Sequence, residues 1–178
     1  MKKINLFVCT LAIAGLGFTS CSDDDNESNN DSTRIDGSYN LVEVNTSAQT
    51  DFDMDGDSHI NQMEESECYK NGKLELRSDD TFTYVVTDIL IGTDGTAGCA
   101  NSETYTGIYT KQAASNPTNA LITITYANSN GATVTRSFEK IGNELTYDDD
   151  TVISTYPDRN DEGGAIRVSG GREYVYRK

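Results

Sequence analysis

From Gly37 onward the chain alternates apolar and polar residues with a period of two, and no stretch sustains a helical repeat. Gly37 to Val44 opens the series as a strand, and Lys73 to Arg77 supplies a second. In a third, Phe82, Tyr84 and Val86 alternate with Thr83, Val85 and Thr87. Tyr105 to Lys111 and Ala120 to Tyr126 follow, the latter with Ile122, Ile124 and Tyr126 on one face. Asn130-Gly131 is a tight-hairpin signal leading into Ala132 to Ile141, with Val134 and Phe138 inward. Gly142-Asn143 marks the next turn before Leu145 to Tyr147, and Glu173 to Arg177 closes the series. About eight short strands joined by hairpins predict an all-β domain. An antiparallel up-and-down β-barrel is favoured over a sandwich, because closure removes the exposed edge.

A different pattern precedes the strands. Lys2 and Lys3 form a basic start, and Ile4 to Phe18 is an almost unbroken apolar run. That run is shorter than the roughly 20 residues a helix needs to span a bilayer, so residues 1–20 read as an export signal. Thr19, Ser20 and then Cys21 close it. This arrangement resembles the lipobox of bacterial lipoproteins, which implies that Cys21 is acylated, palmitate included, and becomes the new N-terminus. Several acyl chains anchor stably where one binds only marginally. Asp23, Asp24 and Asp25 resemble the surface-export signal of Bacteroidetes lipoproteins, which implies display on the outside of the outer membrane.

Charge sharpens this picture. There are 29 acidic and 14 basic residues, for a net charge of −15, and removing residues 1–20 takes away two lysines and no acids, leaving −17. Such a balance excludes nucleic acid and anionic lipid surfaces as partners. Residues 21–36 hold Asp23, Asp24, Asp25, Glu27, Asp31 and Asp36 against Arg34 alone, and read as a disordered tether. One domain remains, residues 37–178, expected as a monomer.

Within that domain, Gly37-Ser-Tyr39-Asn-Leu41 resembles the opening strand of lipocalin-like domains. Leu74 to Phe82, Ile141-Gly-Asn-Glu-Leu145 and the Tyr-rich last strand are similar to the hairpins of that family. The resemblance implies a lipocalin-like barrel that binds a small apolar molecule or peptide without catalysis. Tyr84, Tyr105, Tyr109, Tyr126 and Tyr174 are the residues that would line its cavity, or else fill the core with their hydroxyls at the rim. A filled barrel would make the protein a structural or adhesive surface domain instead.

The most chemically specific stretch is Asp51-Phe-Asp53-Met-Asp55-Gly56-Asp57. Alternate carboxylates around a glycine turn supply the hard oxygens Ca²⁺ prefers, and the spacing matches the first half of an EF-hand loop. Asp51, Asp53, Asp55 and Asp57 are the candidate ligands, with His59 at the ninth position and Gln62 where the motif expects a bidentate Glu. Glu64 is the expected closing ligand. Ca²⁺ would order the loop from Asn45 to Tyr69; the alternative is a solvated acidic loop.

Cys68 and Cys99 are the two thiols left in an exported domain, where disulfides persist, and they are expected to pair. Closing that loop contributes about 3–4 kcal/mol in the chain-entropy model. Catalytic signatures are sparse. His59 is the one His, and no Gly-x-Ser-x-Gly, phosphate loop or Cys-x-x-Cys is present, so no enzymatic activity is expected. The acidic segment Asp158 to Gly164 reads as a solvated turn.

Overall fold

The computed structural model describes residues 33–178. The export signal, Cys21 and the tether as far as residue 32 lie outside the described residues. Eight strands form a closed antiparallel barrel: β1 (Gly37–Thr50), β3 (Lys73–Leu76), β4 (Thr81–Val86), β7 (Glu103–Ala113), β8 (Asn119–Ala127), β9 (Thr133–Ile141), β10 (Glu144–Asp149) and β13 (Arg172–Arg177). Each pairs with the next in this order, and β13 returns to β1 through Asn40↔Arg177 to Thr46↔Arg172. These are the eight stretches whose alternation predicts strands. The remaining strands are short: β2 (His59–Asn61), β5 (Ile89–Ile91), β6 (Ala97–Cys99), β11 (Thr155–Arg159) and β12 (Ala165–Ser169).

Alternation builds the barrel directly. Along β8, Ala120, Ile122, Ile124 and Tyr126 are buried while Leu121, Thr123 and Thr125 turn outward. The hairpin glycines adopt the left-handed backbone that the tight turns demand, with φ of 78° at Gly131 and 60° at Gly142. A register shift between Leu41 and Glu43 bends β1, so that its first half pairs with β3 and its second half with β13.

β1 continues six residues past the expected end at Val44. Its extension carries few apolar residues, so no hydrophobic alternation announces it. Its inward groups are Thr46 and Thr50, both buried, and Thr46 Oγ1 donates to the carbonyls of Ala48 and Ile60. The expected long loop from Asn45 is thereby shortened, and β2 pairs back onto the extension at Asn45↔Asn61 and Thr50↔His59.

Aromatic side chains fill the barrel. Phe138 is fully buried, with ring centroids 6.0 Å from Tyr84, 5.6 Å from Tyr147 and 5.8 Å from Tyr176. Tyr84 also meets Tyr126 edge-on at 5.9 Å. Such pairs contribute about 0.5–1.5 kcal/mol each beyond the area they bury. Packing is close enough that β7 carries Gly107 opposite Phe82, where an added Cβ would sit 2.9 Å from that ring and 3.1 Å from the Thr125 carbonyl.

The two ends of the barrel differ. At the end where the described chain enters, the connections are residues 77–80, 114–118 and 142–143. The other end carries three long excursions, residues 51–72, 87–102 and 150–171, beside the tight turn at 128–132. These excursions hold one another. Cys68 and Cys99 are joined by a disulfide, Arg159 Nε donates to the Phe52 carbonyl at 2.8 Å, and Ala165 N donates to the Gly95 carbonyl at 2.8 Å. The segment read as a solvated turn therefore belongs to a hairpin, β11–β12, with its tip at residues 160–164.

Candidate functional site

The acidic loop lies at the loop-rich end, between β1 and β2. Its backbone is shaped by its own side chains: Asp53 Oδ1 accepts the Asp55 N–H at 3.2 Å, and Asp55 Oδ1 accepts the Asp57 N–H at 2.8 Å. Met54 at φ 63° and Gly56 at φ 97° turn the chain between them. For Met54 that left-handed conformation costs about 1–2 kcal/mol, which the surrounding contacts must offset.

A single helical turn, α1 (Gln62–Glu65), follows β2, capped by Asn61 whose side chain accepts the Met63 N–H. The turn points Glu65 inward, leaving its side chain 1% exposed, and sends Glu64 out to solvent. Glu65 Oε2 accepts the Phe52 N–H at 2.7 Å, and Oε1 accepts the His59 N–H at 3.1 Å and faces His59 Nδ1 at 2.7 Å. Gln62 holds the same turn down, donating to Thr50 Oγ1 at 2.5 Å and to the Pro157 carbonyl. Arg159 covers Phe52, its guanidinium 4.5 Å from the ring centroid.

Asp51, Asp53 and Glu65 each present a carboxylate oxygen within 4.8 Å of the others. Asp51 Oδ1 is buried and has no hydrogen-bond partner among the described residues. A buried carboxylate oxygen without a donor is costly, and three carboxylates in one place repel. Oxygens of this kind are the hard ligands Ca²⁺ takes about six to eight of, so the three carboxylates would supply part of such a shell. Asp55 and Asp57 are drawn into the loop's own turns and do not join the group. Glu64, expected as the closing ligand, approaches His59 Nε2 at 3.4 Å instead, and Glu65 takes its place. The hydrogen bond to Glu65 raises His59 above its ordinary pKa, with the negative charge of Glu64 acting in the same direction.

The tyrosine set divides by position. Tyr84, Tyr126 and Tyr174 lie in the interior, Tyr84 Oη within 3.3 Å of Tyr176 Oη. Tyr105 stacks on Tyr126 at 4.3 Å, and Tyr109 is buried with its hydroxyl donating to the Arg77 carbonyl. The cavity left among Tyr84, Tyr174 and Tyr176 measures about 60 Å³. Larger hollows, about 370 Å³ along the ends of β7, β8 and β9 and about 280 Å³ beside Asn45 and Arg172, are grooves open to solvent.

Three inward cations escaped the sequence reading, Arg136, Arg172 and the fully buried Lys140 of β9. Arg136 stands on β9 midway between Val134 and Phe138, and Arg172 shares the inward face of β13 with Tyr174 and Tyr176. Arg136 falls on the register of Val134 and Phe138, and Arg172 lies one residue before the expected start of the last strand at Glu173. Compared with family models, curated proteins and solved structures, the chain has no match.

Proposed function

We propose that this chain is an exported, lipid-anchored and non-enzymatic surface domain, a filled barrel whose loop-rich end is ordered by Ca²⁺ and forms the contact face. The observation that carries this reading is the interior: among the described residues aromatic rings occupy it, and the cavity beside Tyr84, Tyr174 and Tyr176 is about 60 Å³, against the roughly 300–1,000 Å³ of small-molecule sites. Storage of a sizeable apolar ligand would require that plug to move. The sequence resemblance to lipoproteins supplies the anchor, through Cys21, and the outer-membrane address.

The polarity of the barrel supports the same reading. The described chain enters Gly37 at the short-turn end, so a membrane tether there leaves the three long excursions facing away from the membrane. That far end exposes Met54, Leu90, Val152 and Ile153, apolar side chains of the kind contact surfaces use. In this setting Ca²⁺ would be held by Asp51, Asp53 and Glu65, neutralising their charge and fixing the loop, with no part in chemistry.

Calorimetric titration of the exported protein with Ca²⁺ tests the reading. Saturable heat is expected, abolished by Asp51→Asn, and no heat at millimolar Ca²⁺ would remove the cation from the proposal. A fluorescent apolar probe is expected to show no saturable binding; saturable uptake lost on enlarging Gly107 would favour carriage. Cys21→Ala should release the protein from membranes.

A further inference from the structure

The cavity inside the barrel is rich in donors and poor in acceptors. Arg136 Nε donates to Tyr126 Oη at 2.9 Å, and its guanidinium lies 4.5 Å from the centroid of Tyr147. Among the described residues no carboxylate pairs with it, and the charges and dipoles it meets come from Tyr84, Tyr126 and Tyr147. Arg172 is nine-tenths buried, bonded through Nη1 to Asp88 and through Nη2 to Asp149, with its Nε left buried and without an acceptor.

Both guanidiniums line the same cavity of about 60 Å³, together with Tyr84, Tyr174, Tyr176 and Asp88. Asp88 faces it too, but its Oδ1 is occupied by the Tyr69 hydroxyl, the Ile89 N–H and Arg172. The Tyr84 and Tyr176 hydroxyls share one hydrogen bond between them, which leaves one hydroxyl proton to donate elsewhere. Burial raises the pKa of Tyr84, Tyr174 and Tyr176, so these phenols remain protonated donors at physiological pH.

Buried donors require acceptors and a buried cation a counter-charge. Asp88 and Asp149 supply the charge to Arg172 but leave its Nε without an acceptor, and among the described residues Arg136 meets only tyrosine. We propose that this cavity is a binding site for a small monoanion, a carboxylate group or a halide, held between Arg136 and Arg172 with a tyrosine hydroxyl as the third donor. Its volume accommodates such a group and excludes a drug-sized molecule. Planar, fork-shaped donors suit a carboxylate in particular, which accepts two parallel N–H bonds. The site shares no residue with the acidic group Asp51, Asp53 and Glu65.

The chain has no Trp, so its intrinsic emission comes from its ten tyrosines, of which Tyr84, Tyr174 and Tyr176 line this cavity. Sodium bromide titrated at constant ionic strength should quench the full-length protein's emission saturably. Sodium acetate, in a parallel arm, should raise the thermal midpoint with the same saturable form and relieve bromide quenching. Saturation by bromide alone identifies a halide site, and saturation by acetate alone a carboxylate site. Strictly linear quenching together with no saturable acetate effect overturns the proposal. Arg136→Gln should weaken the saturable phase at least tenfold. Tyr84→Phe, which removes only a hydroxyl, provides the second variant should the first fail to fold, and should weaken it by a smaller factor.

Discussion

The carboxylate of Glu65 accepts the backbone N–H of Phe52 at 2.7 Å, 13 residues back along the chain. One buried side chain thus fixes the entry of the acidic loop, while its other oxygen fixes the exit at His59. Glu65→Ala orphans two backbone donors and is expected to destabilise the fold by about 3 kcal/mol. Glu64→Ala, at an exposed position, is expected to change stability by less than about 0.5 kcal/mol. Urea midpoints of the two variants, measured without Ca²⁺, check the contrast.

His59 has a raised pKa because its ring is hydrogen-bonded to Glu65, with Glu64 close by. A raised value means that protonated His59 favours the folded state. That contribution is complete below the ordinary value of about 6.5 and fades as pH rises through the higher native one. As the sole His, it gives a single imidazole signal by NMR. In chelator the titration midpoint is expected above 6.5, and Glu65→Gln should bring it back toward that value.

The Cys68–Cys99 disulfide closes a separation of 31 residues and joins the turn after α1 to β6. Replacing both cysteines with serine is expected to cost about 3–4 kcal/mol. The loss should appear as a lower thermal midpoint with unchanged far-ultraviolet dichroism, since the barrel hydrogen bonds are untouched. Mass mapping without reductant should find neither thiol open to alkylation.

Phe138 touches Tyr84, Tyr147 and Tyr176, and its deletion leaves a void at the centre of the plug. Phe138→Ala is expected to cost about 3–5 kcal/mol, whereas Tyr84→Phe, which loses one hydroxyl contact, should cost about 1 kcal/mol. Chemical denaturation of both variants separates packing from hydrogen bonding. The void in Phe138→Ala should also admit a small apolar probe that the native barrel refuses.

The barrel wall was legible because each of its strands buries one face, so that Ile122, Ile124 and Tyr126 mark the interior by spacing alone. Features lacking that contrast were hidden. The extension of β1 buries Thr46 and Thr50 rather than apolar groups. β11 contains Pro157, which argues against a strand, yet it pairs with Arg167 in an isolated two-stranded ribbon where a missing N–H is tolerated. Asp51 and Asp53, two of the expected ligands, do stand together, but counting along an EF-hand spacing could not foresee that α1 rotates Glu65 inward to join them and Glu64 outward. The interior arginines give no apolar signal: Arg136 alternates with Val134 and Phe138, and Arg172 precedes the Tyr-rich run that marks the last strand.

Pairing of β1 with β13 joins the first barrel strand to the last, Asn40 to Arg177. Every other neighbour in the wall follows its partner along the chain, so those contacts can form as hairpins. This one closes a loop spanning almost the whole domain, the kind of non-local contact that slows folding. Until it forms, β1 and β13 stand as open edges able to pair with other chains. Loss of the residues from Arg172 to Arg177 would turn a self-contained barrel into an aggregation-prone open sheet, so the final strand guards solubility as much as it completes the fold.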